Sequence, residues 1–432
     1  MTQSDYPKVL VSTIPAWSQR SGANTFSTLL SGYPAEKLAN IYTRAGLPDS
    51  DVCSRYFRIT ENNVIRSILN PRLQTGSEVA RVEAINNTPE EAVSEKRRYD
   101  FFSRHRWAIF LWLRELLWKS GHWKSKELDR FIEDFNPDVF LFHVESYWYF
   151  NRLNQYIISK AKPKKVVAFL WDDNFTYRQK PYSLIARINR FITRKQVKKL
   201  IAGSDTVLTI CPKMKQECDK EFGVNSIIIT KPVLDSNTNP KAYDPSKPIR
   251  IVYSGSLVIG RDKTIAALVK EMSKINRNGT RIFLDIYSGT SLSKSQYKAL
   301  NVPGTSCVHG HIPQQSVFRE QEAADILLFV EHLDNRFNNV ARLSFSTKIT
   351  DYLSRNRCIL AIGPKDIAPM AYLKNENAAI TCNSVSEIYP TLHSIVENPD
   401  IMRTYAESAL ACGIRNHSQI EIRNRFHNVL TH

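Results

Sequence analysis

The chain of 432 residues contains no apolar run approaching the ~20 residues that a membrane-spanning helix requires, so no segment is expected to cross a bilayer. Its start shows no secretory pattern. A short polar lead passes directly into the strand-like run Lys8-Val9-Leu10-Val11-Ser12-Thr13. Cysteine is sparse, with seven residues (Cys53, Cys211, Cys218, Cys307, Cys358, Cys382 and Cys412), odd in number and scattered. No C-x-x-C pair occurs, and Cys211 and Cys218 lack a nearby histidine, so neither a disulfide framework nor a zinc site is expected. The thiols are read as reduced core residues of a cytosolic protein. A G-x-G-x-x-G fingerprint is also missing, and no recognised nucleic-acid-binding module appears. Acidic side chains are outnumbered, 42 against 59 Lys and Arg, for a formal charge of +17. That excess implies an anionic partner: a nucleic acid, a membrane surface or a phosphorylated substrate.

What is present is a globular composition, 42% hydrophobic and 10% aromatic, in a chain long enough for two domains of about 200 residues. Strand-like and helix-like segments alternate. After the first strand, Ser21-Gly22-Ala23-Asn24 precedes an apolar helix around Phe26, Leu29 and Leu30. That order makes either a phosphate-friendly turn at Gly22 or a plain βα turn. Ala39–Thr43 reads as a second strand and Asn70–Glu91 as a polar loop. Val139–Phe142, Lys164–Leu170, Thr206–Ile210 and Ile227–Ile229 read as strands, and Pro212–Phe222 as a helix. The first two of these end in His143 and in Trp171-Asp172-Asp173, polar residues at the carboxyl ends of parallel strands, where open α/β sheets bind ligands. A hydrogen-bonded structural histidine and a helix cap are the plainer readings. Lys231–Pro248 holds four prolines among polar residues and reads as a linker. A second series follows: strands at Arg250–Tyr253, Ile282–Tyr287, Cys307–Gly310 and Ile326–Val330, with Glu397–Leu430 mostly helical. Alternation of this kind implies doubly wound parallel sheets with right-handed crossovers.

The chain is organised around Arg342–Gly363, read as loop, short helix and strand. Ser346 or Thr347 suits the N-cap, and Ile349, Tyr352 and Leu353 give the helix a buried face. Cys358–Ile362 is a buried strand that Gly363-Pro364 ends. Free amides at a helix start attract phosphate, Lys348 adds a cation, and Asp351 one turn on can accept from a ribose hydroxyl pair. The plainer alternative is a capped helix with a solvated Lys348–Asp351 pair.

Two basic stretches lie in the first half. Lys96–Lys126 has nine Lys and Arg against Asp100 and Glu115, nine minus two giving +7, interleaved with aromatics that include Trp107, Phe110, Trp112, Trp118 and Trp123. Asn174–Ser204 has eight basic residues and none acidic. Aromatic and basic faces suit an anionic lipid surface, with a core helix as the alternative.

Most of the chain, and most strongly the stretch from Arg250 to Gly363, resembles the family-4 glycosyltransferases of the GT-B type, especially bacterial surface-polysaccharide enzymes. Val252-Tyr253-Ser254-Gly255-Ser256-Leu257 looks like the first strand and glycine turn of that family's donor domain. Arg261 and Lys263 fall where the family keeps an Arg and a Lys on the donor diphosphate. His309-Gly310-His311-Ile312 resembles its turn near the base, and Phe345–Leu353 its "P-x-K-x-x-E-Y-L" segment, the second half of E-x7-E. Asn416-His417-Ser418 resembles the closing tail. Leu343 stands where the first acidic residue of E-x7-E would be, and Asp351 replaces the second.

The resemblance implies an α/β chain of two Rossmann-like doubly wound parallel-sheet domains facing a cleft. Residues 1–240 would take the acceptor, 248–412 the nucleotide sugar, and 413–432 would cross back as a helix. It implies a metal-independent, retaining sugar transfer from a UDP- or GDP-linked donor to a saccharide or lipid-linked hydroxyl, with no further cofactor and no nucleic acid. His143, Asp172, Arg261 and Lys348 would be catalytic. Gly22, Gly255, Ser256, Lys263, His309, Ser346, Thr347 and Asp351 would bind the donor. The place expected is the cytoplasm, peripheral at the anionic inner membrane face. The rival readings are a GT-B nucleotide-sugar epimerase, a catalytically inactive partner subunit and a basic nucleic-acid-binding protein.

Overall fold

A computed structural model of the chain describes residues 6–17, 25–81, 108–176, 184–233, 240–333 and 342–432, with side chains taken from 112 onward in the segment that begins at 108. The chain divides into two units, 1–229 with 423–432, and 230–422. Gly22, Trp107 and the side chain of Phe110 lie outside the described residues.

The first unit is built on β1 (Val9–Thr13), β2 (Leu38–Tyr42), β3 (Arg55–Ile59), β4 (Gly76–Val79), β5 (Val139–His143), β6 (Lys165–Leu170), β7 (Thr206–Thr209) and β8 (Ile227–Ile228). Their order is β4-β3-β2-β1-β5-β6-β7-β8. All pairs are parallel except β3 with β4. Every residue of β1, β2 and β5 is buried, as helices on both faces of a parallel sheet require. The helices are α1 (Thr25–Leu29), α2 (Glu61–Leu69), α3 (Ala108–Ser120), α4 (Lys126–Phe135), α5 (Trp148–Ala161), α6 (Leu184–Ala202) and α7 (Pro212–Phe222). Local chemistry sets their ends. Ser125 caps α4 by accepting from Leu128 N, left-handed Asn136 closes it, and Gly223 at φ 69° closes α7.

Two sequence expectations change here. The polar stretch Asn70–Glu91 contains β4, an antiparallel edge strand whose short polar sequence carries no periodic apolar signal; Glu78 accepts from Arg55 of β3 at 2.8 Å. Of the aromatics between Lys96 and Lys126, Trp118 and Trp123 belong to the core, and Trp118 stacks on Tyr149 at 4.2 Å. All seven cysteines are free and six of them are buried, which raises the thiol pKa of each of those six.

The second unit is a fully parallel sheet of β9 (Ile249–Ser254), β10 (Ile282–Tyr287), β11 (Ser306–Gly310), β12 (Ile326–Val330), β13 (Cys358–Ile362) and β14 (Ile380–Cys382), ordered β11-β10-β9-β12-β13-β14. Between and after them run α8 (Arg261–Ile275), α9 (Lys294–Leu300), α10 (Gln314–Ala323), α11 (Thr347–Leu353), α12 (Ala368–Asn375), α13 (Val385–Glu397), α14 (Asp400–His417) and α15 (Gln419–Thr431). Ile251, Leu284, Leu328 and Leu360 of adjacent strands anchor its core. The tail expected to leave this unit at 413 begins inside α14. Gly413 lets that helix approach α11, where an added β-carbon would lie 3.0 Å from the carbonyl oxygen of Leu353. Residues 423–432 return to the first unit, where His427 meets Tyr33 edge to face.

In each sheet the strand order reverses at one point, between β1 and β5 in the first unit and between β9 and β12 in the second. Carboxyl ends of strands diverge at such a switch and leave a crevice, the usual ligand position in open α/β sheets.

Candidate functional site

In the second unit the switch point is lined by residues from β9, α8, β12 and α11. Strand β9 ends in Ser254-Gly255, and Gly255 has φ 146°. A β-carbon there would lie 1.8 Å from Nζ and 2.4 Å from Cε of Lys348, so only glycine leaves that space to the lysine. Lys348 stands in the first turn of α11, whose N-cap Ser346 accepts from the Lys348 amide. Its ammonium lies 4.8 Å from the ring centroid of Tyr253 on β9. It has no hydrogen-bond or ion-pair partner among the described residues. Burial, followed by the nearby Arg261 cation, lowers its pKa to about 8.

Arg261 opens α8. Gly260 before it, at φ 77°, is the second position that demands glycine, because a β-carbon would lie 1.7 Å from Cδ2 of His332. Arg261 reaches Glu331, the first residue after β12, in a bidentate pair: Nη2 donates to Oε1 at 2.7 Å and Nε to Oε2 at 3.1 Å. Burial opposes the guanidinium charge, but the Glu331 carboxylate prevails and raises its pKa. The Glu331 carbonyl accepts from Thr264 of α8 at 3.3 Å, which fixes the strand end to the helix start. The result is one oriented guanidinium and one desolvated ammonium brought together at the switch point. That arrangement suits a diphosphate.

The sequence-predicted residues fall into groups. Gly255, Arg261, Ser346, Thr347 and Lys348 come together at this switch point. Ser256 and Lys263 are exposed beside it, in the β9–α8 loop and the first turn of α8. His309 lies two strands away on β11, half-exposed, stacked on Tyr287 at 4.7 Å and bonded to Asp285 at 2.6 Å. Asp351 does not pair with Lys348. Its carboxylate accepts from Nζ of Lys231 at 2.8 Å, a residue 120 positions away. Leu343, at the first place of E-x7-E, is buried.

His143 and Asp172 sit in the first unit. His143 closes β5, buried at the carboxyl side of that unit's switch point, with Nε2 2.8 Å from Glu145 Oε1 and its ring stacked on Trp171 at 4.4 Å. Its Nδ1 is buried without a hydrogen-bond partner among the described residues. Asp172 is exposed after β6. Sequence reasoning passed over Glu331 and His332 as site residues. The signal was there: an acid and a histidine directly follow the strand Ile326–Val330, the same strand-end rule that singled out His143. Among the described residues no group of three or more His, Cys, Asp or Glu is placed to hold a metal ion, and no helix is long and apolar enough to cross a membrane.

No protein-family model matches the sequence, nor does any curated protein. Solved structures do. HepE from Anabaena, in complex with UDP and glucose, superposes over 99% of this chain and 100% of its own at a TM-score of 0.63 and 9% identity. Sucrose-phosphate synthase from Thermosynechococcus elongatus matches over 98% of this chain and 97% of its own, at 0.61 and 10%. The α,α-trehalose 6-phosphate synthase of Burkholderia multivorans matches over 98% of both, at 0.56 and 9%. With two doubly wound sheets and full-length likeness to these structures, the chain has the GT-B fold.

Proposed function

We propose that the protein is a glycosyltransferase moving a sugar from a nucleoside-diphosphate donor to a hydroxyl acceptor. The observation that carries this reading is the unpaired ammonium of Lys348, held against Gly255 beside the Glu331-oriented Arg261. In the reaction, the bond between the anomeric carbon and the β-phosphate oxygen breaks and its electron pair leaves with the phosphate. The acceptor oxygen bonds to the same carbon and gives up its proton. Negative charge therefore grows on the diphosphate, where Lys348 and Arg261 stabilise it without a metal. A cation kept out of water, as the lowered Lys348 pKa indicates, acts more strongly there than a solvated one. Neighbours solved with UDP and glucose or with UDP-glucose support a UDP-linked sugar, with a GDP-linked one as the other candidate. We assign donor binding to the second unit and the acceptor to the first, with His143 and Asp172 on the acceptor side.

The finer reading is retention of configuration and a lipid-linked or polysaccharide acceptor, handled by a cytoplasmic protein peripheral to the inner membrane face. The +17 charge supports the place. A thermal-shift series with nucleoside diphosphates tests the core of the proposal, because a ligand bound only by the folded state raises the melting temperature. UDP or GDP should raise it by several degrees at a hundredfold excess over Kd. Product analysis with UDP-sugars then separates transfer to an acceptor from acceptor-free epimerisation. A flat response to every nucleoside diphosphate would defeat the reading.

A further inference from the structure

Helix α6 carries two apolar surfaces. Thr193, Val197, Leu200 and Ile201 are buried against the first unit. Leu184, Ile188 and Phe191 follow at i, i+4 and i+7 and so form a second stripe, roughly half a turn round the helix from the first. That stripe faces solvent: Leu184 is 72% exposed, Ile188 41% and Phe191 48%, with Ile185 beside them at 41%. The same row continues as Lys195, whose ammonium lies 4.7 Å from the Phe191 ring centroid, and then as exposed Lys198 and Lys199. Arg190 and Arg194, which lie off the row, bond Asp173 at 3.0 Å and Glu221 at 2.6 Å. The helix contains no acidic residue. Its neighbour α3 meets it through the Trp148 ring, which packs on Trp112 and donates to Thr193 at 3.0 Å, and α3 leaves Leu113 and Leu116 each 54% exposed.

Single exposed apolar residues need no explanation, but an ordered row of them does. A row that passes from apolar to cationic along one face, with no acid on the helix, matches the layered chemistry of an anionic bilayer, where acyl chains lie beneath phosphates. We propose that α6 lies in the headgroup layer of such a membrane. Leu184, Ile188 and Phe191 enter the acyl boundary, and Lys195, Lys198 and Lys199 meet lipid phosphates. The surface stands on its own geometry. Its purpose rests on the reading above, since a lipid-linked acceptor is presented at that interface.

The experiment is sedimentation of the full chain with vesicles of phosphatidylcholine alone or mixed with phosphatidylglycerol. Binding is expected only with phosphatidylglycerol, and should fall steeply with salt. Ile188→Ser with Phe191→Ser should weaken it at least tenfold, since each loses roughly a tenfold burial contribution. Lys195→Gln, Lys198→Gln and Lys199→Gln should each weaken it by about fivefold. Melting temperatures monitor folding, and the nucleotide-induced shift should be unchanged in all these variants. Loss of that shift in the parent with intact vesicle binding defeats the transferase reading and leaves this one standing. Equal binding to neutral vesicles, no binding at all, or serine variants that bind like the parent would overturn it. So would a parent dimer that the serine pair converts to monomer, because the face would then belong to a second copy.

Discussion

A β-carbon on residue 255 would lie 1.8 Å from Nζ of Lys348, so the glycine at the end of one strand and the lysine at the start of a distant helix share a single volume. Everything proposed about the phosphate site depends on that relationship. It makes Gly255→Ala the first test. The backbone at φ 146° disfavours alanine, and the new methyl displaces the ammonium rather than the fold. Stability should fall by about 1–3 kcal/mol, while nucleotide affinity falls at least tenfold. Differential scanning calorimetry and UDP titration read the two effects separately; unchanged UDP affinity would separate the lysine from the site.

The lowered pKa of Lys348 gives a pH dependence with a definite sign. The ammonium is present below about 8 and lost above it. Phosphates are fully ionised in that range, so the enzyme's own titration dominates. UDP affinity and donor kcat/KM should therefore decline as pH rises through 8, with proton uptake on binding in the same window. A folded-state pKa below the ordinary lysine value also means that the buried ammonium opposes folding at pH 7. Lys348→Met should then melt higher than the parent at pH 7, yet give no UDP shift. The stability gap should close between pH 8 and about 10.5. A variant that melts lower at pH 7 would contradict the desolvation argument.

Glu331 and Arg261 form a mostly buried, two-bond ion pair. Glu331→Gln removes one charge and leaves the guanidinium uncompensated, which should cost about 3 kcal/mol. Adding Arg261→Met should restore much of the lost stability, because neither half of the pair is left buried alone. It should not restore activity, since the diphosphate has lost its oriented cation. Turnover recovering in parallel with melting temperature would show Arg261 to be structural.

His417 provides a test of the second unit's frame. It is fully buried, with Nδ1 2.9 Å from the Thr230 hydroxyl and Nε2 2.7 Å from the Tyr372 hydroxyl, and its ring lies parallel to Phe345. Burial lowers its pKa to about 4. Between pH 6.5 and 4 the unfolded chain binds a proton that the folded chain refuses, so stability is present above 6.5 and lost as pH falls through that window. The expected loss is about 3 kcal/mol. Melting curves of the parent should show that decline, and those of His417→Gln should lack it.

Much of this protein follows from local pattern. Strands Ile282–Tyr287, Ile326–Val330 and Cys358–Ile362, and helix Pro212–Phe222, have the bounds that their apolar runs, prolines and glycines dictate. Strand and helix signals in alternation lead to two doubly wound sheets with strand ends at the switch points. Those signals operate within a few residues of one another, through side-chain periodicity and backbone preference, and therefore survive in one dimension. What the tertiary structure alone decided is which group meets which. Asp351 could be placed on its helix from sequence, but not opposite Lys231, and Arg261 could be placed at a helix start, but not in the fork of Glu331. Trp118 reads equally as an interfacial or a core residue until Tyr149 stacks on it, and β4 is invisible until β3 lies beside it. Helix α6 has apolar residues on two faces, and only packing distinguishes the buried stripe from the exposed one. Contacts of that kind join residues far apart in the chain, and their energies depend on burial and distance, quantities that come into being only when the sheets are assembled.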